Sequence, residues 1–149
     1  MSVEGVRIVR RDPGDADLAV LLDKALAELK SRYGPGVKSP VLADAEYYVA
    51  LLAEETCGCG VLQRVDPGLV EIKRMYVPAR FRGRGIARAI LKSLEDRARA
   101  TGSARVRLQT GTRQPEAISL YASAAYKPCE PWGRYAVDPN ALCFSKTLS

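Results

Sequence analysis

Hydrophobic and polar positions along the first third of the chain follow two different periods. Residues 5–11 (GVRIVRR) alternate apolar and polar side chains, which predicts a strand. Residues 12–34 carry apolar side chains at helical spacing: Leu18, Leu21, Leu22, Ala25, Leu26 and Leu29. Asp12 and Pro13 predict the start of this helix, and the run Gly34-Pro35-Gly36 predicts its end. Residues 37–45 (VKSPVLADA) are broken by proline, so a loop and a short helix both remain open.

The remaining two thirds of the chain alternate between strand-like and helix-like patterns. Strands are predicted at 46–55, 59–65, 69–77, 104–111 and 141–148, and helices at 85–100 and 115–125. A strand, a helix and a strand over residues 69–109 indicate a parallel βαβ crossover, whereas the earlier hairpins indicate antiparallel pairing. We therefore predict an α/β (α+β) fold with a mixed, mostly antiparallel central sheet, a parallel βαβ core and helices on both faces. A single domain over residues 1–149 is expected from the length.

Composition excludes several classes of chemistry. The chain has no histidine, so Ser-His-Asp and Cys-His catalysis lack their general base. Four cysteines without histidine, one pair of them spaced Cys-x-Cys, do not predict a metal site, and we expect buried cysteines in a reducing compartment. Nothing resembles a signal peptide, and no apolar run approaches the roughly 20 residues that a membrane helix needs. We expect a cytoplasmic protein with no membrane partner.

Charge is distributed unevenly along the chain. Residues 1–68 hold 8 Lys and Arg against 11 Asp and Glu, whereas residues 69–149 hold 15 against 6. The second part of the chain therefore favours an anionic ligand.

A glycine- and arginine-rich stretch, RFRGRGIARAIL at residues 80–91, joins a predicted strand to a predicted helix. The amino end of a helix presents unpaired N–H groups, and glycines allow close approach of a phosphate. A dinucleotide fingerprint would need glycine where Arg88 stands, and the lysine of a Walker loop is absent. A phosphate cradle, a basic nucleic-acid contact and a surface turn with solvated arginines remain as alternatives.

The segment EIKRMYVPARFRGRGIARAILKSLE, residues 71–95, resembles the core of the GNAT superfamily of N-acetyltransferases. That family carries the motif R/Q-x-x-G-x-G/A five residues after the valine that ends a strand. Val77 therefore selects one register over another that begins at Arg80, and the selected motif is Arg82, Gly83, Arg84, Gly85, Ile86 and Ala87. The resemblance implies that backbone N–H groups here, with Arg88 nearby, bind the pyrophosphate of acetyl-CoA.

The resemblance extends to QPEAISLYASAAYKP, residues 114–128, and it implies further contacts with acetyl-CoA. Gln114 takes the place of the usual Asn, and Ala125 takes the place of the usual Gly. Met75, Tyr76 and Val77 are expected to pair with the pantetheine arm as an added strand would.

The resemblance also implies two catalytic residues. Glu71 is the predicted general base, acting directly or through a water, and the alternative is a strand glutamate paired with Lys73 or Arg74. Tyr121 is the predicted general acid for the CoA thiolate, and the alternative is a packed helix tyrosine. The segment that holds Trp132, Tyr135 and Asp138 is expected to border the acceptor site.

The predicted function is acetyl transfer from acetyl-CoA to a primary amine, directly and within a ternary complex, without a metal. The acceptor is a small amine or a protein lysine or N-terminus, and a homodimer is left open. A non-catalytic acyl-CoA-binding module and a basic nucleic-acid-binding domain are the alternatives.

Overall fold

A computed structural model describes residues 5–36 and 44–149, so the predicted loop or helix at 37–45 lies almost wholly outside the described residues. The strands are β1 (Val6–Arg11), β2 (Ala45–Leu52), β3 (Glu55–Asp66), β4 (Leu69–Tyr76), β5 (Arg105–Gly111), β6 (Lys127–Pro128) and β7 (Ala141–Thr147). The α-helices are α1 (Ala16–Tyr33), α2 (Ile86–Ala100) and α3 (Pro115–Ser123). Two short 3₁₀ helices, Ala79–Phe81 and Gly133–Val137, complete the described elements.

The seven described strands form one sheet in the order β1-β2-β3-β4-β5-β7-β6. Only β4 and β5 pair in parallel, because α2 carries the chain back across the sheet between them. All other neighbours are antiparallel. The predicted mixed sheet with a parallel βαβ core is therefore confirmed.

Helices cover both faces of the sheet, as predicted. One core cluster joins α2 and α3 to side chains such as Val70, Ile72 and Leu108, and the other joins α1 to Val49 and Cys59. Strands β1 to β4 contribute to both clusters because successive side chains point to opposite faces, whereas β5 and β7 contribute only to the first.

Helix α2 approaches the sheet closely because β3 carries glycines beneath it. A Cβ at Gly58 would lie 2.8 Å from Cδ1 of Ile90, and one at Gly60 would lie 3.0 Å from Cγ2 of the same residue. The helix buries Ile86, Ile90, Leu91, Leu94 and Ala98, and it ends where Gly102 adopts φ 87°.

The predicted start of α1 is wrong by about one turn. The helix begins at Ala16, and the carboxylate of Asp15 accepts the backbone N–H of Leu18 at 3.0 Å. Asp12 instead belongs to a preceding turn, where its carbonyl accepts the N–H of Asp15 at 3.0 Å. The two-residue strand β6 and both 3₁₀ helices were not predicted, because such short elements leave little periodic signal.

Glu46 is an expected source of acid sensitivity. A bidentate bond from Arg97, with both N–O distances 3.0 Å, is the main reason that its pKa falls from 4.5 to about 2. This stabilisation is complete above pH 4.5 and is lost as the pH falls through about 2. We expect Glu46→Gln to lower Tm at pH 7, and the difference from wild type to shrink between pH 5 and pH 2. Glu54→Gln, which removes an exposed pair with Arg7, is the control and should change little in thermal unfolding followed by circular dichroism.

Candidate active site

A cleft opens where the two parallel strands separate. Pairing between β4 and β5 ends at Ile72 and Leu108, and both strands continue beyond that point. A cavity of 420 Å³ occupies the gap between them. Its walls include β4 (Lys73 to Tyr76), β5 (Gln109 to Gly111), Tyr121 of α3 and Glu28 of α1.

A β-bulge in β4 lies at the start of the gap. Arg74 adopts φ 54°, and the register with β3 shifts between Val61 and Cys59. The extra residue restarts the alternation of side chains, so that Tyr76 packs with the α1 cluster and Met75 with the α2 cluster. Within the described residues, no strand pairs with β4 beyond Ile72 on the side that faces the cleft. The predicted pantetheine contacts, Met75 and Tyr76, therefore lie at an open strand edge, with Val77 buried just beyond it.

The glycine- and arginine-rich stretch forms a loop before α2, as predicted. Gly83 and Gly85 adopt φ 79° and 80°, in the left-handed region that favours glycine. Among the described residues, the backbone N–H groups of residues 83–88 have no hydrogen-bond acceptor. The first turn of α2 contains no acidic residue, and Gly85 offers no side-chain cap. These amides and the helix dipole form a cradle suited to an anion.

The arginines of this loop have different surroundings. Arg82 donates to both carboxylate oxygens of Glu28 at 2.8 and 3.0 Å, and its Nε donates to the carbonyl of Val77 at 2.8 Å. Arg88 donates to Oγ of Ser123 on α3 at 2.6 Å. Arg84 is exposed and makes no ion pair within the described part of the chain. The side chain of Arg82 therefore ties the loop to α1, whereas Arg84 is directed to solvent.

Tyr121 lies in the wall of the cleft. Its side chain is 6% exposed, and its ring contacts those of Tyr126 and Phe144 at centroid distances of 5.8 and 6.4 Å. Burial raises the pKa of Tyr121 well above its usual value of 10.0. The phenol is therefore protonated at neutral pH and can donate a proton.

Glu71 lies beside the cleft and does not line it. It lines a second depression of 280 Å³, where Arg107 Nε lies 3.1 Å from one carboxylate oxygen and Lys73 Nζ lies 3.5 Å from the other. Lys73 borders both the depression and the cleft. The pairing with Lys73 that the alternative required is present, and Arg107, which faces Glu71 in the parallel register, was not predicted.

Gln114 lies just before α3 and Ala125 lies just after it, and each has a distinct role in the local backbone conformation. The Oε1 of Gln114 accepts from the backbone N–H of Gly111 at 3.0 Å and from the hydroxyl of Thr110 at 3.3 Å. This side chain thus shapes the turn after β5 at the edge of the cleft. Ala125 adopts φ 71°, so the left-handed turn that glycine usually makes is retained at some cost in strain.

Three of the four cysteines, Cys57, Cys59 and Cys143, are buried as expected, whereas Cys129 is only partly buried. Cys57 and Cys59 are fully buried, and burial raises the pKa of Cys59 to about 12. A thiol in such a site is a poor nucleophile. No group of three His, Cys, Asp or Glu side chains suitable for a metal occurs in residues 5–36 and 44–149.

Part of the segment after β6 borders the cleft. Tyr135 and Asp138 line the cleft, and Trp132 lines the neighbouring depression. The guanidinium of Arg107 lies 4.2 Å from the ring centroid of Trp132.

No helix within the described ranges is long and apolar enough to cross a membrane.

An open strand edge followed in the chain by a cradle of unpaired amides suits an extended ligand with an anionic end. Residues 19–126 match the Acetyltransferase (GNAT) family. An IAA acetyltransferase of Azospirillum brasilense is 33% identical over 96% of this chain and 98% of its own length. A Klebsiella pneumoniae protein assigned as an acyl-CoA N-acyltransferase is 27% identical, with a TM-score of 0.83 over 97% of this chain and 98% of its own. A GNAT family acetyltransferase of Elizabethkingia anophelis, solved with acetyl-CoA bound, has the same fold at 20% identity, with a TM-score of 0.73 over 97% of this chain and 99% of its own.

The chain therefore belongs to the GNAT acetyltransferase family. It is an acetyl-CoA-dependent N-acetyltransferase, as the resemblance of residues 71–95 implied.

Proposed function

We propose that this protein transfers an acetyl group directly from acetyl-CoA to a primary amine while both are bound in the cleft. The observation that carries the proposal is the open edge of β4, which the chain follows directly with the cradle before α2. The amides of residues 83–88 bind the pyrophosphate, and Arg84 and Arg88 add positive charge at that end. The pantetheine arm extends along Met75, Tyr76 and Val77 toward Tyr121.

Acetyl transfer makes three demands on the protein. The acceptor ammonium must lose a proton, the thioester carbonyl must be polarised, and the CoA thiolate must leave. When the amine nitrogen attacks the carbonyl carbon, a C–N bond forms and the C–S bond then breaks. A backbone N–H at the open edge of β4 polarises the carbonyl. The phenol of Tyr121 donates a proton to the departing thiolate, and the phenolate regains the proton that the nitrogen loses as the amide forms.

The general base is assigned to Glu71, acting through water. Glu71 lines the depression next to the cleft, with Lys73 bordering both. Water at the boundary between the depression and the cleft would connect the carboxylate to the acceptor amine. Because both carboxylate oxygens already have cationic partners, direct contact with the amine is the less favoured arrangement.

Glu71→Gln is expected to lower kcat at least about 10-fold while acetyl-CoA binding stays unchanged, since general acid–base groups contribute about 10²–10⁴-fold. Thiol release gives kcat, and calorimetry gives the Kd of acetyl-CoA. The matched control is Glu95→Gln, because Glu95 is also a buried glutamate with a lysine partner, Lys146, but packs on the opposite face. An unchanged rate in Glu71→Gln would end the assignment, and so would an equal loss in both variants.

We favour this function over nucleic-acid binding because two loop arginines already have carboxylate partners. Arg80 pairs with Glu55, and Arg82 pairs with Glu28. Such pairing reduces the charge available to a phosphate backbone.

A further inference from the structure

The depression beside the cleft has more positive than negative charge. Its walls contain one carboxylate, Glu71, and four cationic side chains: Arg64, Lys73, Arg107 and Arg134. Residues 1–68 have an excess of acidic side chains, yet this part of the surface is basic.

Two of these cations are largely withdrawn from solvent. The side chains of Lys73 and Arg107 are 12% and 21% exposed, and both contact Glu71, which is 8% exposed. One carboxylate thus neutralises only one of the two positive charges. The remaining positive charge is costly because the site is largely shielded from water. The contact of Arg107 with the ring of Trp132 at 4.2 Å is favourable but does not neutralise a charge. A bound carboxylate would balance the cluster.

The excess charge lies at one end of the cleft. Lys73 directly follows Ile72, the last residue of β4 that pairs with β5, and it borders both the depression and the cleft. Asp138 lines the cleft and carries the opposite charge. A positive group and a negative group at the same opening suit a ligand that bears both an ammonium and a carboxylate.

We propose that the acceptor is a free amino acid, with its carboxylate bound by Lys73 and Arg107 and its ammonium on the side of Asp138. This inference rests on the proposed function and narrows it. Polyamines and protein lysines offer only a cation to this cluster and are disfavoured. The edge-to-face pair of Trp132 and Tyr135, with centroids 5.6 Å apart, makes an amino acid with an aromatic side chain the best probe.

The test compares phenylalanine with phenethylamine, which lacks only the carboxylate. Thiol release from acetyl-CoA, with the product confirmed by mass spectrometry, should give a kcat/KM at least about 10-fold higher for phenylalanine, as a charge-assisted contact provides. Equal or reversed preference would overturn the inference. Transfer to spermidine or to a lysyl peptide in preference to phenylalanine would also overturn it, while the proposed function would stand. Transfer to no amine at all would overturn both.

Lys73→Gln tests whether the ammonium of Lys73 determines the preference for an acceptor that carries a carboxylate. The ratio of kcat/KM between phenylalanine and phenethylamine should fall toward one, and the KM for acetyl-CoA should not change. Lys146→Gln is the matched control, because Lys146 pairs with the buried Glu95 away from the cleft, and it should keep the wild-type ratio. A ratio unchanged in Lys73→Gln would overturn the assignment of the carboxylate site. Because the readout is a ratio within one variant, partial loss of folded protein does not affect it.

Discussion

Gly85→Glu is expected to weaken acetyl-CoA binding by more than about 100-fold, or roughly 2.8 kcal/mol. Gly85 adopts φ 80° at the start of α2, where a side chain costs roughly 1–2 kcal/mol in strain. The new carboxylate would also stand among the amides of residues 83–88, next to the expected pyrophosphate, and repel it. Calorimetric titration with acetyl-CoA gives the Kd of each protein.

The control for this variant lies at the other end of the same helix. Gly102 adopts φ 87°, and no atom lies within 4 Å of the position of its Cβ. Gly102→Glu therefore adds the same charge and a similar strain without touching the cradle. Gly102→Glu should lose stability yet bind acetyl-CoA as the wild type does. If the two variants bind equally well, or equally poorly while folded, the cradle is not the pyrophosphate site.

Tyr121→Phe is expected to lower kcat by about 100-fold with little change in the KM for acetyl-CoA, because only the proton donor is lost. The raised pKa of Tyr121 also predicts how kcat depends on pH. Because the raised pKa keeps the phenol protonated, deprotonation of Tyr121 should not limit wild-type kcat at or below about pH 10. Steady-state thiol release between pH 6 and pH 10 measures both effects.

Tyr126→Phe is the matched control for Tyr121→Phe. The Tyr126 ring contacts that of Tyr121, and its hydroxyl donates to the buried Glu95 at 2.8 Å. Removing this hydroxyl should cost about 1.5–3 kcal/mol of stability, since the acceptor is charged. It should leave kcat nearly unchanged. A similar fall in kcat in both variants would show that Tyr121 acts through packing.

The loop before α2 and the elements that flank it could be predicted well from sequence because their signals are local. The apolar stripe of α2 repeats at helical spacing, and two glycines precede it where the backbone needs positive φ. Strand β4 and its parallel partner β5 follow from the strand–helix–strand order. These features depend on neighbours in sequence, so the chain alone indicates them.

The surroundings of Glu71 and Arg82 could not be predicted as well, because they depend on contacts between residues that are distant in the sequence. The bulge at Arg74 has no sequence signal, since arginine seldom adopts φ 54°. Arg107 meets Glu71 only through the register of β4 with β5, 36 residues along the chain. The pairing of Arg82 with Glu28 likewise joins distant segments, so the side chain of the first residue of the expected motif is tied to α1.

The most direct test of acetyl transfer in this cleft is to mix the protein with acetyl-CoA and a set of amines and to measure both products. The account predicts that CoA thiol and acetylated amine appear in equal amounts, and that initial rates with both substrates varied give intersecting lines. Acetyl-CoA binding without either product would contradict it and indicate a non-catalytic module. Parallel lines with an acetylated protein intermediate would contradict direct transfer.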